Sequence, residues 1–528
     1  MKINLKVNSL FRKKKILVFG LGILGGGVEA VKWFYKNGAK ITVTDKKIKK
    51  ELLSAIKKLK KIKVKYVLGK HRFEDIDKFD VVYFNPGVSY KSEWVKYAKE
   101  KGKEIVNDCY LFFKYAKGDI IALTGTRGKT TTTTWVYELL THLQMNKIQI
   151  NTDTISKNPR NQYSCESVRV KSASNPRIPV FLGGNQPEKS LFKILDKTKE
   201  NSISVLELSS FQLEFYEKEL KAPRIAIITN IYNDHLNRYS GFEEYASVKA
   251  RIFQNQTKDD YLILNLDNTC TKFFLKLKPK SRIYFVSLKR KSKKGIYIKN
   301  EKIFIKDKKE YKIFSIKKFK ELYGEHNLYN LLFALLAIYL YLKSKNIKNP
   351  IKQIKSLKNN IFKLKTPKFR QEIIYKDKNL IIVNDSAATS PEATINALER
   401  FKKYKNLILI TGGTDKNLDF KDLAQEIKKK IKPENLILLN GSATKNLIEE
   451  LKKINYKVKE ENIFEDLREA IKTLISNDNP LKSASNLRKS VVLFSPASAS
   501  FEKFKNEFDR GKSFNKIIKK YYKDLIKK

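Results

Sequence analysis

The sequence predicts an α/β protein of three domains, each built around a β-sheet whose faces are covered by helices. The chain has 528 residues, whereas single hydrophobic cores stop growing at about 250–300 residues. Hydrophobic residues make up 41% of the chain, which is enough for packed cores and argues against a disordered protein. Strand-like and helix-like stretches alternate, and several strands end in glycine-rich or polar residues. We place the domains at residues 1–118, 119–366 and 367–528, with a polar surface insertion at about 151–178.

The net charge is strongly positive but has no focus along the chain. There are 109 lysine and arginine residues against 55 acidic residues, a formal net charge of +54. The surplus is mostly scattered lysine, whereas a nucleic-acid-binding protein concentrates basic residues in one patch with interleaved aromatic residues. We therefore predict a solvated basic surface and no specific nucleic-acid partner. A basic nucleic-acid-binding ATPase stays open as an alternative function.

Cysteine usage and hydropathy bear on the compartment. The three cysteines are far apart and form no Cys-x-x-Cys pair, so the sequence predicts neither a disulfide framework nor a zinc site. This pattern fits a reducing cytoplasm. Residues 331–342 are strongly apolar, but at that length they predict a buried helix, and we expect no membrane span.

The first domain opens on a strand, a glycine turn, a helix and a second strand. Residues 16–19 lead into a turn with glycines at positions 20, 22 and 25, and the second strand ends at Asp45. This order is typical of a Rossmann-like domain, in which the turn lies against a diphosphate and the acidic residue binds the base or ribose. Another strand leads to Asn85-Pro86-Gly87, which we expect at the same sheet edge.

A short glycine-rich loop between a strand and a helix marks the second domain. Residues 120–123 read as a buried strand, the loop carries Gly125 and Gly128, and a helix follows from Thr131. Backbone N–H groups of such a P-loop point at a phosphate chain, and the helix dipole adds to the anion site. Lys129 would reach the β- and γ-phosphates, and the Thr130 hydroxyl would contact Mg²⁺. The sequence therefore predicts an ATP site.

Two further strands of this domain end in residues that suit a metal. Residues 204–206 deliver Glu207, a natural Mg²⁺ ligand at a strand end. Residues 225–229 are followed by His235, one of only four histidines. Lys249 lies on a predicted helix, and its sequence context alone marks it as an ordinary surface lysine.

The third domain again alternates strands and helices. Its strands end in Asn384-Asp385-Ser386, in a loop that contains Lys416, and in Ser495-Pro496. Asn327 and Asn330 precede it, three residues apart on one helical face, where they can offer amides to a nucleotide. Carboxyl ends of parallel strands form the ligand edge of open sheets, so we expect a second binding surface here.

Together these motifs resemble those of the Mur ligases, and within that family the branch that adds D-glutamate. The resemblance covers nearly the whole chain and depends on the order and spacing of its motifs. The stretch from Ser495 through Arg510 resembles the D-glutamate branch in particular. The motifs are residues 124–130, 206–214, 233–239 with Lys249, 324–330, 384–386 and 495–501.

The resemblance implies an ATP-dependent ligase of cytoplasmic peptidoglycan precursor synthesis. ATP would phosphorylate the L-alanyl carboxylate of UDP-N-acetylmuramoyl-L-alanine, and the amine of D-glutamate would then attack the acyl phosphate. The implied cofactors are ATP and two Mg²⁺ ions, with Lys249 carbamylated. The implied partners are these substrates alone, on a monomeric enzyme. A sibling Mur ligase that adds another amino acid is the nearest alternative.

The resemblance also assigns roles to individual residues. The implied catalytic residues are Lys129, His235 and Lys249, and the implied metal ligands are Thr130, Glu207, His235 and Lys249. ATP would be bound by Gly125, Thr126, Arg127, Gly128, Lys129, Thr130, Thr131, Asn327, Asn330, Arg370 and Asp385. The UDP substrate would be bound by Gly22, Ile23, Leu24, Asp45, Asn85, Pro86, Gly87, Asn185, Ser209 and Gln212. D-glutamate would be bound by Thr389, Lys416, Ser500 and Phe501.

Overall fold

The computed structural model describes most of the chain and divides it into two compact units. The described residues are 10–22, 25–145, 178–186, 189–232, 234–235, 238–416, 418–475, 490–500 and 502–526. The first unit comprises residues 1–316 and 328–364, and the second comprises residues 317–327 and 365–528. Nearly all of the predicted insertion lies outside the described residues, as do the predicted site residues Ile23, Leu24 and Phe501.

The N-terminal part of the first unit is a five-stranded parallel sheet. Its strands are β1 (Lys15–Phe19), β2 (Lys40–Asp45), β3 (Val64–Leu68), β4 (Val81–Phe84) and β5 (Glu104–Val106). Its helices are α1 (Gly26–Lys36), α2 (Lys49–Lys57), α3 (Phe73–Asp77), α4 (Glu93–Glu100) and α5 (Asp108–Tyr115). The strand order β3-β2-β1-β4-β5 places β1 between β2 and β4. The chain reverses direction across the sheet at β1, so a crevice for a ligand opens where β1 and β4 end.

The remainder of the first unit is built on a nine-stranded sheet. Its strands are β6 (Asp119–Thr124), β7 (Val180–Gly184), β8 (Ile203–Glu207), β9 (Ile225–Ile228), β10 (Tyr261–Asn265), β11 (Arg282–Ser287), β12 (Gly295–Lys299), β13 (Lys302–Lys306) and β14 (Glu310–Ser315). The order is β14-β13-β12-β11-β10-β9-β6-β8-β7, and only the β12-β13-β14 ribbon is antiparallel. β6, β8 and β9 therefore end side by side. Their apolar runs are buried, as expected for parallel strands covered on both faces.

Helices flank this sheet, and one of them is apolar on every side. They are α6 (Lys129–Met145), α7 (Leu191–Leu195), α8 (Ser210–Leu213), α9 (Phe242–Ala250), α10 (Thr271–Lys276), α12 (Leu328–Ser344), α13 (Pro350–Ser356) and α14 (Lys358–Ile361). The helix α11 (Lys317–Tyr323) belongs to the second unit. Among the described residues, the stretch Glu325–Ser344 is long and apolar enough to cross a membrane, yet 83% of its most apolar window is buried inside the protein. α12 packs on α6. An all-round apolar helix buried in this way is typical of a large core.

The second unit contains a six-stranded sheet. Its strands are β15 (Glu372–Lys376), β16 (Leu380–Asn384), β17 (Asn406–Thr411), β18 (Leu436–Leu439), β19 (Ile463–Phe464) and β20 (Ser490–Phe494). Its helices are α15 (Pro391–Phe401), α16 (Lys421–Lys430), α17 (Ser442–Lys453), α18 (Leu467–Ile475) and α19 (Glu507–Ile526). The order is β15-β16-β20-β17-β18-β19, with β15 antiparallel. Separate hydrophobic clusters line its two faces. The three sheets confirm the predicted α/β class, while the exact domain boundaries stay predictions.

Candidate active site

The glycine-rich loop connects β6 to α6 and can be built only with glycine at two positions. Gly125 has φ +145° and Gly128 has φ +82°, values that L side chains rarely adopt. A Cβ atom on Gly125 would lie 2.1 Å from Oγ1 of Thr229, and one on Gly128 would lie 2.5 Å from Oδ1 of Asn330. The loop is therefore packed tightly between β9 and α12. This is the strand–loop–helix context that the sequence predicts for a phosphate site.

Residues after β9 hold the loop in place. Asn230 accepts hydrogen bonds from the backbone N of Thr126 (2.9 Å, to its carbonyl) and of Arg127 (2.8 Å, to Oδ1). Thr229 donates from Oγ1 to the carbonyl of Arg127 at 2.7 Å. Neither Asn230 nor Thr229 was among the predicted site residues. Their signal in the sequence is that they follow a strand that borders β6.

Lys129 folds back over the loop. Its Nζ donates to the carbonyl oxygens of Gly125 (2.8 Å) and Thr126 (3.0 Å). Thr131 follows in the first turn of α6. The ammonium group thus lies over the loop that is predicted to bind phosphates, where it could balance phosphate charge.

Thr130, in the first turn of α6, meets Glu207 at the end of β8. Thr130 Oγ1 donates to Glu207 Oε1 at 3.2 Å, and Glu207 is only 2% exposed. A hydroxyl and a carboxylate side by side are the hard oxygen donors that Mg²⁺ prefers. The donor set at this position fits the predicted first ion.

Lys249 is buried beneath the same loop, in contrast to its ordinary appearance in the sequence. It is 1% exposed, and its Nζ donates to Thr124 Oγ1 (3.2 Å) and to the carbonyl of Gly125 (3.1 Å). Among the residues that the structure describes, it is the only buried lysine. Burial and the nearby Lys129 ammonium lower the pKa of Lys249 well below its usual range. The expectation of a surface lysine is wrong, because α9 packs its last turn against the end of β6.

His235 lies above this cluster in a left-handed backbone conformation (φ 55°). Its ring is 4.9 Å from the ring of Phe211 and 6.0 Å from that of Tyr245. Burial lowers the pKa of His235, and the positive charges of Lys249 and Lys129 lower it further against the opposing effect of Asp234. The neutral ring keeps a nitrogen lone pair for a metal or a proton.

Carboxylates, thiols and imidazoles alone do not complete a second metal site. In the described ranges, no group of three or more His, Cys, Asp or Glu side chains lies close enough to hold an ion. His235 and the amine of Lys249 do not fit a hard cation as they stand. They fit only once Lys249 supplies an anionic oxygen, which is what the resemblance implies.

The edge of the N-terminal sheet forms a second part of the candidate site. Asp45 accepts a hydrogen bond from the backbone N of Gly22 at 3.1 Å, and Asn85 donates from Nδ2 to the carbonyl of Gly20 at 3.1 Å. Pro86 and Gly87 continue the exposed turn after β4. The structure brings the described members of this predicted group together where β1, β2 and β4 end.

Three predicted substrate contacts lie near the end of β8. Asn185 is exposed, and its backbone N donates to the carbonyl of Glu207 at 2.8 Å. Ser209 and Gln212 form a capping box on α8, and Gln212 also donates from Nε2 to Asp108 at 2.8 Å. Gln212 is 3% exposed. Its side chain is committed to the cap and to Asp108, and a substrate contact through it stays a prediction.

The predicted nucleotide residues of the later chain fall in both units. Asn330, in the first unit, accepts from Thr132 Oγ1 at 3.0 Å. Asn327, in the second unit, donates from Nδ2 to the carbonyl of Tyr323 (2.7 Å) and to Nε2 of His326 (2.8 Å). The interpretation of the two asparagines as one helical face stays a prediction.

Asp385 is buried at the end of β16. It accepts hydrogen bonds from Ser495 Oγ (2.8 Å) and from the backbone N of Gln371 (2.9 Å). Burial raises its pKa to about 7, although the charges of Arg370 and Arg400 oppose this. Arg370 itself is exposed. Asp385 is therefore poised between the neutral and ionised forms at neutral pH.

The described members of the predicted D-glutamate group, Thr389, Lys416 and Ser500, lie on three loops of the second unit. The loop of Lys416 and the stretch of Ser500 are joined by a bridge between Thr414 and Ala499. Lys416 is exposed, whereas Ser500 is 4% exposed. Thr389 lies half-buried before α15.

Arg510 organises this region and was not among the predicted binding residues. It is 1% exposed and donates to the carbonyl oxygens of Ala499 (2.8 Å), Ser386 (2.9 Å) and Ser498 (3.0 Å). It thereby ties the loop after β16 to the loop after β20. The sequence shows an arginine near the start of the last helix, but its hydrogen-bond partners depend on contacts between distant segments.

Comparison with known proteins places this arrangement in a family. The MurD-like N-terminal domain of Mur ligases matches residues 14–107, the Mur ligase middle domain matches residues 123–338, and the Mur ligase glutamate ligase domain matches residues 369–497. The chain belongs to the Mur ligase family. The resemblance inferred from the motifs is confirmed.

Curated relatives in this family match along nearly their whole length. The UDP-N-acetylmuramoylalanine–D-glutamate ligase of Caldanaerobacter subterraneus subsp. tengcongensis is 32% identical over 514 residues, covering 96% of this chain and 98% of that protein. The enzyme of the same name from Clostridioides difficile is 33% identical over 505 residues, covering 95% and 97%.

Solved structures of Mur ligases share the fold. The UDP-N-acetylmuramate–alanine ligase MurC of Thermotoga maritima aligns with a TM-score of 0.55 at 19% identity, covering 97% of this chain and 100% of that one. The MurF ligase of the same organism, solved with ADP, aligns with a TM-score of 0.52 at 14% identity, covering 98% and 96%. Identities this low establish the shared fold only.

Proposed function

We propose that this Mur ligase joins D-glutamate to UDP-N-acetylmuramoyl-L-alanine at the expense of ATP, a step of peptidoglycan precursor synthesis. The observation that carries the proposal is the convergence of Lys129, Thr130 with Glu207, and buried Lys249 on one phosphate loop. The D-glutamate specificity is supported by relatives that bear that name over 95% or more of this chain.

The first chemical step is phosphoryl transfer, for which the protein supplies position and charge. An oxygen of the L-alanyl carboxylate attacks the γ-phosphorus of ATP, and ADP leaves. Loop N–H groups and the start of α6 hold the phosphates, and Lys129 balances charge that grows in the transition state. Asn327, Asn330, Arg370 and Asp385 would hold the rest of the nucleotide.

Thr130 and Glu207 would hold one Mg²⁺, and His235 with carbamylated Lys249 would hold a second. When bound, the ions supply neutralisation of phosphate and acyl-phosphate charge. Burial beside Lys129 favours the neutral amine of Lys249. A neutral amine adds to CO₂ and releases a proton, so the site suits carbamate formation.

The second step is amide formation. The amine of D-glutamate attacks the acyl carbonyl, a tetrahedral intermediate forms, and inorganic phosphate leaves as the amide is completed. The proposed D-glutamate residues are Thr389, Lys416, Ser500 and Phe501. The UDP end would be held by the edge of the N-terminal sheet, through Asp45 and the turns at 22–24 and 85–87.

The decisive experiment is a phosphate-release assay with ATP and UDP-N-acetylmuramoyl-L-alanine, screened across amino acids. We expect release with D-glutamate and little with other amino acids, and Lys129→Ala serves as the inactive control. Release that requires UDP-N-acetylmuramate and L-alanine instead would identify a sibling ligase.

We further propose that the enzyme acts as a monomer in the cytoplasm, where the buried thiols of Cys109 and Cys270 stay reduced.

A further inference from the structure

We propose that Arg238 is a positioning residue that couples the UDP-binding turn of the N-terminal sheet to the catalytic centre at His235. The inference rests on the proposed function, because it assigns the turn after β4 to the UDP substrate. It adds a role for a residue that the ligand assignments leave unused.

A buried carboxylate fixes the guanidinium. Glu214, which follows α8, is 4% exposed. Arg238 donates from Nε to Oε1 of Glu214 at 2.8 Å and from Nη2 to Oε2 at 2.7 Å. Tyr239 donates to Oε1 at 2.8 Å, and the backbone N of Tyr90 donates to Oε2 at 2.9 Å. A bidentate pair with these further donors leaves the arginine one orientation.

From that orientation Arg238 reaches the turn after β4. Its Nη1 donates to the carbonyl of Gly87 and its Nη2 to the carbonyl of Val88, each at 3.0 Å. The first carbonyl belongs to the turn of Asn85-Pro86-Gly87, and the second to the residue that follows it. A residue from the nine-stranded-sheet part of the unit therefore sets the position of a turn in the five-stranded-sheet part.

A face of the same guanidinium covers the ring of Phe211. It lies 4.0 Å from the ring centroid of Phe211, and that ring lies 4.9 Å from the ring of His235. Arg238, Phe211 and His235 therefore form a chain of contacts, in which the Phe211 and His235 rings meet edge-on at an interplanar angle of 60°. The turn after β4 lies at one end of this chain and His235 at the other.

The coupling matters because, in the proposed function, the two ends of one substrate bind at the two ends of this chain of contacts. The UDP group is held at the N-terminal sheet, whereas the L-alanyl carboxylate must reach the γ-phosphate over Lys129. Misplacement by about 1 Å of a reacting group can cost about a hundredfold in rate. Arg238 keeps the two binding regions at a fixed separation.

The test compares conservative variants by substrate affinity and by turnover. Arg238→Lys keeps the charge but cannot make the fork to Glu214 and the two carbonyl contacts together. We expect its Kd for UDP-N-acetylmuramoyl-L-alanine, measured calorimetrically without ATP, to rise about tenfold or more, as for lost charged hydrogen bonds. The KM for ATP should change by less than about twofold, because substitutions affect distant, independent sites only slightly.

A second variant tests the contact of Phe211 with Arg238 and His235. Phe211→Leu removes the ring between Arg238 and His235 but leaves the contacts to the turn. We expect kcat to fall by about tenfold or more while the Kd for the UDP substrate stays within about twofold. This split between binding and turnover is not expected of residues that only stabilise the fold.

Arg251→Lys is the matched control. Arg251 also contacts Glu214, because its Nη1 donates to the backbone carbonyl of Glu214. Its guanidinium lies 5.7 Å from the ring centroid of Tyr90. Among the described residues, the hydrogen bonds and ring contacts of Arg251 do not reach Gly87, Val88 or Phe211. The affinity of Arg251→Lys for the UDP substrate and its turnover should therefore match those of the parent. Equal losses in Arg238→Lys and Arg251→Lys, or parent-like values in Arg238→Lys, would overturn the coupling. A parent protein that forms the D-glutamate product while Arg238→Lys is unaffected refutes only the coupling, whereas a parent that does not bind the UDP substrate refutes both proposals.

Discussion

At the scale of single residues, two lysines beside one phosphate loop do different work. Lys129 lies over the loop, where its positive charge would face phosphate in the proposed site, whereas Lys249 lies beneath it with a pKa well below the usual range. A buried ammonium without a paired carboxylate is costly. The structure therefore favours a charged Lys129 and a neutral or modified Lys249.

Replacement of Lys129 should abolish turnover without unfolding the protein. Lys129→Ala removes a preorganised cation from the developing phosphoryl charge, so we expect kcat to fall by about a hundredfold or more. The thermal midpoint should change little, because the side chain is partly exposed. Phosphate release and a melting curve measure the two effects. Lys272→Ala, exposed on α10, is the control, and an active Lys129→Ala protein would place the ATP site elsewhere.

Replacement of Lys249 should give a defect that small carboxylates relieve. If the residue carries a carbamate, Lys249→Ala leaves a space where an anion is required, and acetate or formate can fill it. We expect near-complete loss of phosphate release and partial recovery on addition of either anion. Lys129→Ala should not respond, because it lacks a cation. Full activity of Lys249→Ala without added carboxylate would remove the residue from the proposed site.

At the scale of elements, loops are held by contacts from strands and helices far away in sequence. The phosphate loop is held by contacts from the residues after β9 and from α12. Within the second unit, Arg400 holds α11 by donating to the carbonyl of Leu322 at 2.7 Å. Such loops keep their shape only while the contacting residues keep theirs.

A methyl group in the phosphate loop should test this packing. Gly128→Ala would bring Cβ to 2.5 Å from Asn330 Oδ1 at φ +82°, and we expect about 1–2 kcal/mol of backbone strain. Displacement of Asn330 should also weaken ATP binding by about tenfold or more, measured by calorimetry. Gly241→Ala before α9 is the control, because nothing lies within 4 Å of its added Cβ. Equal effects of the two changes would contradict the packing argument.

The short 3₁₀ helix Glu325–Asn327 should make stability depend on pH. Burial, with the nearby Arg400 charge, lowers the pKa of His326 to about 4, and its Nε2 accepts a hydrogen bond from Asn327. The unfolded chain binds this proton at a higher pH, near 6.5. The stabilisation that the folded protein gains from unprotonated His326 is therefore complete above about pH 6.5 and is lost as the pH falls toward 4.

We expect the free energy of unfolding of the parent, relative to His326→Gln, to fall by about 2 kcal/mol between about pH 7.5 and pH 5. Urea titrations of both proteins at the two pH values measure this difference. The comparison cancels Asp385, whose raised pKa changes stability in the opposite direction. Parallel pH profiles for the two proteins would show that His326 is not buried as described.

At the scale of the whole molecule, the sequence predicted local patterns well and long-range contacts poorly. The strand–loop–helix at Gly125 and the glycine turn after β1 are local, and both appear in the structure. The burial of Lys249, the fork of Arg238 on Glu214 and the three carbonyls on Arg510 depend on packing between distant segments. Residues 317–327 group with the second unit, and no local sequence pattern predicts this grouping.

The net charge of +54 belongs to the whole molecule and gives the last prediction. Every lysine whose side chain the structure describes, except Lys249, is exposed or half-exposed, so the surplus charge is solvated. We expect an oligonucleotide to bind weakly and without sequence preference. Its affinity should fall by about a thousandfold or more between about 50 and 200 mM salt if several phosphates are contacted.

Fluorescence anisotropy across a salt series measures this binding, and phosphate release with saturating oligonucleotide measures its effect on turnover. ATP turnover should be unchanged, because in the proposed site the phosphates are bound by backbone N–H groups of the loop and by Lys129 rather than by the surface lysines. A scrambled oligonucleotide of equal length is the control. Sequence-selective binding that persists at physiological salt would instead favour the nucleic-acid-binding ATPase, and the scattered lysines would then have to converge on a surface in a complex.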